Sequence, residues 1–314
     1  MGGIGIILNK NAGKHRAFRG TIGEKLAFVL GDPRSVRETA HVDEIEEVMQ
    51  AFCERQIDIL GISGGDGSNH YVLSRAVQVW GARPLPRVAL LCGGTHNAHA
   101  ASIGVKGSPD KLLANIVRKY HAGEPFQITH RQLLDVDDGE RRHHGFSLAT
   151  GFMYRFYADL VATQRDSPAK VAALLAGWIG SWLIGGRRIR HIFRLEPGRI
   201  RVDEVELPWT DQNGISASGM EKLGLGFTPY PRAAETERTF HVGAMRIKPG
   251  VFVRLMTAYK RGKIPVHPDA YSNIASRLEL ELETPVEYVL DGELYRGKQK
   301  LVITTGPRLA LITG

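Results

Sequence analysis

The sequence contains little cysteine and no long run of apolar residues. Only Cys53 and Cys92 occur in 314 residues, both in apolar segments and without a CxxC spacing. We therefore expect neither a disulfide framework nor a cysteine-based zinc site, and a reducing, cytoplasmic environment fits best. The first ten residues, MGGIGIILNK, lack a basic start and a cleavage site, so no signal peptide is expected.

The longest stretch without charged residues, 171–186, is too short to cross a membrane as a helix. At about 1.5 Å per residue it spans roughly 24 Å, whereas the hydrocarbon core is about 30 Å thick. It also contains four glycines. We predict a buried helix. An interfacial helix is the alternative, because Trp178 and Trp182 are one turn apart and three arginines follow within 187–190.

The composition is basic, with 41 Lys and Arg against 33 Asp and Glu, a net charge of +8 and a pI of about 9.5. Such a balance favours an anionic partner, which could be a nucleotide, an anionic membrane surface or a nucleic acid. A well-solvated basic surface explains the charge equally. No nucleic-acid role is expected, because the basic residues are scattered and lack interleaved aromatic side chains for stacking.

The first third of the chain alternates apolar strands with amphipathic helices. Residues 3–9, 57–62 and 87–92 are continuous apolar runs, typical of parallel strands buried on both faces. Helical periodicity separates them. The pattern predicts an α/β fold, with an N-terminal doubly wound, mostly parallel sheet in residues 1–125. Ligands of such sheets bind beyond the carboxyl ends of the strands.

After residue 125 the pattern changes to short alternating strands separated by turn signals. Asp138-Gly139 predicts a hairpin turn between two such strands. We expect residues 126–304 to form a C-terminal, mostly antiparallel β-sandwich domain, interrupted by a helical insert at about 167–186.

The segment GGDGS, residues 64–68, follows the second apolar strand and places an aspartate among three glycines. Gly64, Gly65 and Gly67 leave the backbone bare, and successive N–H groups before a helix can hold an anion. An aspartate inside such a turn is useful if Asp66 binds Mg²⁺, orients a hydroxyl or accepts a proton. The alternative is a tight turn in which the aspartate caps a helix.

Two further turns fall on the same predicted sheet edge. GGTHN, residues 93–97, offers bare backbone together with Thr95 and Asn97. NKNAGK, residues 9–14, adds Lys14 as a positive charge, although its spacing is not that of a Walker A loop. Three turns at one edge are stronger evidence for an anion site than any one, because their N–H groups converge.

The ordered motifs together resemble the diacylglycerol kinase catalytic-domain family, which includes bacterial lipid kinases and sphingosine kinases. The motifs are Asn9 with Gly13-Lys14, Gly64-Gly65-Asp66-Gly67-Ser68, Gly94-Thr95-His96-Asn97, Gly151-Phe152 and Asp291-Gly292-Glu293. The resemblance covers nearly the whole chain. It implies a nucleotide-binding α/β domain and a β-rich lipid-binding domain with the active site between them. It also implies that residues from about 305 to 314 return to the first domain.

The resemblance implies ATP and Mg²⁺ as cofactors of an ATP-dependent lipid kinase, and it assigns the site residues. Asp291, Glu293 and Asp66 would be catalytic. Asp66 would act near Mg²⁺ or the phosphoryl group, and Asp291 or Glu293 would be the general base. The nucleotide would be bound by Asn9, Gly13, Lys14, Thr39, Gly64, Gly65, Gly67, Ser68, Gly94, Thr95 and Asn97.

The same resemblance implies partners. The acceptor would be a lipid hydroxyl, taken from a peripheral anionic membrane surface at the inner face, where the 171–190 stretch would make contact. The oligomeric state is left open.

The sequence departs from the family at several positions. Ser68 replaces a threonine, His70-Tyr71 replace an Asn-Glu pair, and Ala98 replaces an aspartate. The stretch YPRAAETERTFHV, residues 229–241, lacks the Asp-Gly that often supports a structural metal. Glu235, Glu237 or His241 could replace the missing ligands.

Two other classes of function stay open. GGDG-type turns also occur in sugar and NAD kinases, although an acidic sugar-site motif and an Asn-Glu pair to grip a dinucleotide are missing here. A non-catalytic lipid- or nucleotide-binding relative is the third possibility, because of Ala98 and the missing Asp-Gly loop.

Overall fold

A computed structural model describes the chain as two compact units. The described residues are 2–13, 22–94, 97–163, 173–174, 176–178, 180–181, 186–223, 227–264 and 266–314. The first unit comprises Met1–Leu133, Leu223–Leu225 and Pro307–Gly314, and the second comprises Leu134–Lys222 and Gly226–Gly306. The chain thus passes between units within a strand, a few residues beyond the change of sequence pattern near residue 125.

The first unit is built on a parallel sheet. Its elements in chain order are β1 (Ile4–Asn9), α1 (Ile22–Leu30), a 3₁₀ helix (Pro33–Ser35), β2 (Val36–Thr39), α2 (Glu44–Glu54), β3 (Ile59–Ser63), α3 (Asp66–Trp80), β4 (Arg87–Leu90), α4 (Ala98–Ser102), α5 (Pro109–Ala122) and the start of β5 (Ile128–Asp137). β1 pairs in parallel with β2 and β3, and β3 pairs with β4.

The end of the chain completes this sheet. Leu311, in the last strand β17 (Lys300–Ile312), pairs in parallel with Val88 of β4. Ile6, Ile59 and Leu60 are fully buried, as strands covered on both faces require. The predicted mostly parallel α/β sheet is confirmed, and the turns after β1, β3 and β4 follow its carboxyl edge.

The second unit is antiparallel. After the end of β5 its elements are β6 (Arg142–Gly145), β7 (Ser147–Thr150), α6 (Gly151–Ala162), α7 (Arg187–Ile192), β8 (Glu196–Val202), β9 (Val205–Glu206), β10 (Asp211–Gln212), β11 (Gly214–Ser218), β12 (Phe240–Met245), α8 (Pro249–Lys260), β13 (Ala270–Ala275), β14 (Arg277–Leu282), β15 (Glu287–Leu290), β16 (Glu293–Arg296) and the start of β17. The predicted hairpin at Asp138-Gly139 joins β5 and β6.

Two layers of strands enclose the core of this unit. One layer runs β10-β8-β14-β17 and the other runs β13-β12-β11-β7-β15-β16. Alternate side chains of both layers meet in one cluster that includes Ile200, Leu278, Phe240 and Tyr288. The predicted antiparallel second half is confirmed. Burial alternates along β14 and β15, as in a strand with one face on a sandwich core, whereas β11 and β12 are buried along their whole length.

Most of the predicted helical insert, 167–186, lies outside the described residues, and so does Trp182. Trp178 is described, and its ring packs edge-on against Phe156 at 4.5 Å between centroids, within a buried cluster. This tryptophan is therefore part of a core, whereas Ala173, Ala176, Gly177 and Gly180 are exposed, and burial of the whole stretch stays a prediction. Among the described residues, no helix is both long and apolar enough to cross a membrane.

Glu279 on β14 forms two ion pairs, and these predict how the stability of the protein depends on pH. Glu279 accepts from Arg277 Nε at 2.7 Å and from Lys300 Nζ at 2.8 Å, and its side chain is 17% exposed. Hydrogen bonds from Lys300 and Arg277 lower the pKa of Glu279 to about 2, from an ordinary 4.5. Because the folded pKa is depressed, the stabilisation is present above about pH 4.5 and is lost as pH falls toward 2.

We expect Glu279→Gln to lower the free energy of unfolding by about 1 kcal/mol at pH 7, a value discounted for solvent screening. The difference from the unmodified protein should shrink as the pH is lowered from about 4.5 to 2. Urea unfolding at several pH values measures this. Glu281→Gln, at an exposed position on the same strand, is the control. A pH-independent difference between Glu279→Gln and the unmodified protein would contradict the assignment.

Candidate functional site

The turn after β3 leads straight into the N-terminus of a 15-residue helix. Gly65 is the N-cap of α3, and having no side chain it leaves the first N–H groups of the helix for another acceptor. A Cβ on Gly64 would lie 2.3 Å from the Cβ of Ser68, so only glycine fits there. A helix start of this kind is suited to binding an anion.

The turn after β4 packs directly against the first. A Cβ on Gly94 would lie 2.3 Å from the Cα of Gly65, so the two backbones are closer than any other residue would allow. Asn97 adopts the left-handed conformation, with φ of 49°, which asparagine tolerates well. Its side chain accepts from Gly94 N at 2.9 Å and donates to Gly94 O at 2.7 Å, closing the turn on itself.

Asp66 connects these two turns. Its carboxylate accepts the backbone N–H groups of Ala98 and His99, each at 2.9 Å, and His99 Nδ1 lies 3.5 Å away. Capping a helix was the alternative role predicted for Asp66. The structure shows that the Asp66 carboxylate caps α4, while Asp66 is also the first residue of α3. The carboxylate is 21% exposed, so it is held in place without being sealed from solvent.

The turn after β1 joins the same assembly through Asn9. The Asn9 side chain accepts from Asn11 N at 2.8 Å and donates to Ser68 Oγ at 2.8 Å. Gly13 is exposed a few residues further on. The structure therefore brings together Asn9, Gly64, Gly65, Asp66, Ser68, Gly94 and Asn97. Lys14 and Thr95 lie outside the described residues, and so does His96.

Thr39, at the end of β2, is buried, and its hydroxyl donates to Leu8 O at 3.4 Å. A cavity of about 360 Å³ adjoins this strand end, lined by Lys10, Val36, Arg37, Glu38, Ala40, Glu44, Glu47 and Val48. The ion pair with Glu38, at 2.9 Å, raises the pKa of Lys10, which stays charged. The neighbours of Thr39 therefore line the cavity, and a nucleotide contact by Thr39 itself stays a prediction.

In the second unit, Asp291 and Gly292 form the turn between β15 and β16. Both have positive φ, 52° and 93°, as a two-residue hairpin of the primed type requires. The Asp291 carboxylate accepts from Phe146 N at 3.1 and 2.9 Å and from Ser147 N at 2.9 Å. The side chain is 7% exposed, so this predicted catalytic acid is held firmly by backbone N–H groups.

Gly145 makes room for that carboxylate and was not foreseen from the sequence. A Cβ there would lie 2.6 Å from Asp291 Oδ2 and 2.7 Å from a methyl group of Leu290. No local signal marks this glycine, because the residue that requires it is far along the chain. Glu293 begins β16, two residues after Asp291, and is half-buried.

The residues named as replacement ligands for a structural metal have other partners. His241 Nε2 bonds Ser272 Oγ at 2.8 Å, and its Nδ1 accepts from Arg232 N at 3.3 Å. Burial lowers the pKa of His241 to about 4, so the ring is neutral. Glu235 pairs with Arg232 at 2.6 Å. In the described parts of the chain, no group of three His, Cys, Asp or Glu side chains is arranged to hold a metal ion.

The segment that holds the three turns is similar to a known kinase domain. Residues 4–124 match the family model of the diacylglycerol kinase catalytic domain, a segment that contains all three joined turns. Over residues 4–124 the chain is therefore similar to diacylglycerol kinase catalytic domains. The resemblance inferred from the motifs is confirmed, and the chain carries a kinase-family domain. No curated protein matches the sequence.

Solved structures share the fold over nearly the whole chain. A diacylglycerol kinase from Bacillus anthracis str. Sterne is 14% identical, with a TM-score of 0.65 over 99% of this chain and 97% of that one. Yeast NADH kinase complexed with NADH is 12% identical, with a TM-score of 0.53 over 99% and 83%. An NAD kinase from Archaeoglobus fulgidus in complex with ATP is 11% identical, with a TM-score of 0.50 over 98% and 93%.

The contact between the two glycine turns predicts the effect of a single methyl group. In Gly94→Ala the added carbon meets backbone of Gly65, which cannot rotate away as a side chain would. We expect the free energy of unfolding to fall by about 1–3 kcal/mol, the usual range for overpacking. Thermal and urea unfolding measure it.

Gly177→Ala is the matched control, because a Cβ at that helical glycine meets no atom of the described residues within 4 Å. It should leave stability unchanged or raise it. Equal stabilities of the Gly94 and Gly177 variants would show that the two turns are not in contact.

Asp291→Asn should destabilise the second unit even though the two side chains have the same shape. The amide has one acceptor oxygen where the carboxylate has two, so Phe146 N, which bonds both oxygens of Asp291, faces a donor in the variant. We expect a loss of about 1–3 kcal/mol in the free energy of unfolding. Asp137→Asn, which affects an exposed carboxylate that accepts one N–H group from Gly139, should cost much less. Similar losses in the two variants would contradict this account of Asp291.

Proposed function

We propose that the chain is an ATP-dependent lipid kinase that phosphorylates a hydroxyl of a diacylglycerol- or sphingoid-like lipid. The observation that carries the proposal is the joined set of turns after β1, β3 and β4, within the segment that matches a kinase catalytic domain. Glycine at the contact points and side-chain bonds between the turns support a fixed array of N–H donors facing a phosphate chain.

The nucleotide phosphates would be held by the backbone of residues 64–68 and by the positive end of α3. Ser68 Oγ is kept in place by Asn9, and the second turn is closed by Asn97. These groups are ordered before the nucleotide arrives, so little reorganisation accompanies binding. Phosphoryl transfer needs mainly alignment and neutralisation of charge, which such a preorganised site supplies.

Asp66 is the residue that would hold Mg²⁺. Proteins bind this ion through one or two carboxylates, with water and substrate phosphates completing the octahedron, so a cage of protein ligands is not needed. Asp66 is partly exposed, and each of its oxygens accepts one N–H group, which leaves lone pairs for a cation. When bound, Mg²⁺ would neutralise charge on the phosphates.

The acidic pair of the second unit would activate the acceptor. The lipid hydroxyl passes its proton to the carboxylate of Asp291 or Glu293. Its oxygen then forms a bond to the γ-phosphorus, and the bond from that phosphorus to the bridging oxygen breaks, releasing ADP. Asp291 is oriented by Phe146 and Ser147, and Glu293 follows it on β16.

The test is ATP turnover in mixed micelles with diacylglycerol, sphingosine, a sugar panel and NAD as acceptors, with and without Mg²⁺. We expect turnover with a lipid only, and dependence on Mg²⁺. Asp66→Asn should lower kcat, and whichever of Asp291→Asn and Glu293→Gln removes the base should lower it about 100-fold or more. Asp137→Asn is the control that should keep full activity.

Each variant is assayed at a temperature where circular dichroism shows it folded, because Asp66 and Asp291 both bond backbone groups. Full turnover by Asp66→Asn and by both acidic-pair variants would reject the mechanism. Turnover with NAD or a sugar alone would reject the lipid acceptor. Nucleotide binding by calorimetry without turnover on any acceptor would mark a non-catalytic binding relative.

A further inference from the structure

A basic surface with exposed aliphatic side chains lies on α8 and the turn that follows it. We call it the α8 face and define it by Lys248, Val253, Arg254, Lys260, Arg261, Lys263, Ile264 and Val266. All eight are exposed, and Val266 is 98% exposed. We infer that the α8 face docks on the surface of a bilayer that contains anionic phospholipids.

The inward side of α8 explains why these residues point outward. Val251, Phe252 and Leu255 pack on a buried cluster, where the rings of Phe252 and Phe152 meet edge-on at 4.8 Å. Tyr259 is buried one turn further on. With its apolar stripe used in the core, the helix presents Val253, Arg254 and Lys260 to the outside by its 3.6-residue period.

Backbone hydrogen bonds anchor the chain on both sides of the exposed residues Ile264 and Val266. Gly262, with φ of 64°, follows the helix end, with Gly262 N donating to Tyr259 O and Lys263 N to Ala258 O. This is the Schellman arrangement of a helix C-terminus. On the other side, Ala270 N donates to His267 O at 3.1 Å. Ile264 and Val266 lie between these two anchors.

The charge of the α8 face is of one sign. No Asp or Glu occurs between Glu237 and Asp269 in the sequence. Asp269 and Asp211, which approach this region, both pair with Arg246. In the described part of the chain, the five cations of the α8 face have no carboxylate partner within 4 Å.

Cations that flank exposed aliphatic side chains match the interface of an anionic bilayer. Each Lys or Arg near such a surface adds to the free energy of binding through attraction to anionic headgroups. The aliphatic side chains add to it by leaving water for the boundary of the acyl chains. A nucleic acid would instead call for aromatic side chains that stack on bases, and the α8 face exposes none. The bilayer is therefore the partner that both the charge and the apolar groups fit.

The test is cosedimentation of the full chain with sucrose-loaded vesicles, without nucleotide and without any acceptor lipid. Vesicles of phosphatidylcholine alone are compared with vesicles containing about one third phosphatidylglycerol. We expect binding only to the second, weakening as salt is raised. Because no phosphorylation is measured, the result is independent of whether the proposed kinase activity exists.

The triple variant Lys260→Gln/Arg261→Gln/Lys263→Gln should lower the partition coefficient about 100-fold, from the loss of three charges at the surface. Lys106→Gln/Lys111→Gln/Lys298→Gln removes the same charge from three exposed lysines elsewhere and should bind as the unmodified protein does. Equal losses in the two triple variants would overturn the proposal, because net charge alone would then explain binding.

Val266→Ser should weaken binding about 10-fold, because the valine side chain would no longer move from water into the bilayer. Its control is Val205→Ser, which affects an exposed valine flanked by Glu204 and Glu206. No effect of Val266→Ser would overturn the apolar part of the proposal. Tighter binding to duplex or single-stranded nucleic acid than to vesicles, lost in the α8 triple variant, would overturn the choice of partner.

Discussion

Two glycine turns touch at the carboxyl edge of the parallel sheet, and the geometry of the first unit depends on that contact. Because Gly65 and Gly94 approach too closely for any side chain, the turns after β3 and β4 act as one piece. Asp66 and Asn9 can then reach backbone and hydroxyl groups of neighbouring segments. The N–H groups at the start of α3 thereby keep a fixed direction, which is the condition for stabilising phosphate charge without reorganisation.

Much of this arrangement could be predicted from the sequence, because the signals are local. Buried parallel strands such as β3 are continuous apolar runs, and the following glycines mark the turns. Asp138-Gly139 was predicted as a hairpin turn from its residue types, and the antiparallel pairing of β5 and β6 on either side bears this out. The order of motifs along the chain was enough to suggest the family, which the match of residues 4–124 confirms.

What the sequence could not predict is which distant groups the motif residues contact. Gly145 needs to be glycine because of Asp291, and nothing within a few positions of either residue indicates the other. The α8 face was hidden for a similar reason. Its cations look scattered in sequence, and the membrane contact was predicted at the stretch 171–190 instead. Only when Phe252 and its neighbours are seen in the core does the opposite side of the helix become a continuous surface.

The two acidic motifs share one arrangement. Asp66 accepts the N–H groups of Ala98 and His99, and Asp291 accepts those of Phe146 and Ser147, two consecutive residues in each case. A carboxylate held this way is oriented before any substrate binds, so no side-chain entropy is lost when it acts. The same bonds make it a structural clamp. A catalytic acid and a clamp therefore differ only in whether a remaining lone pair meets a ligand, and loss of activity on substitution separates them only when the fold is shown to persist.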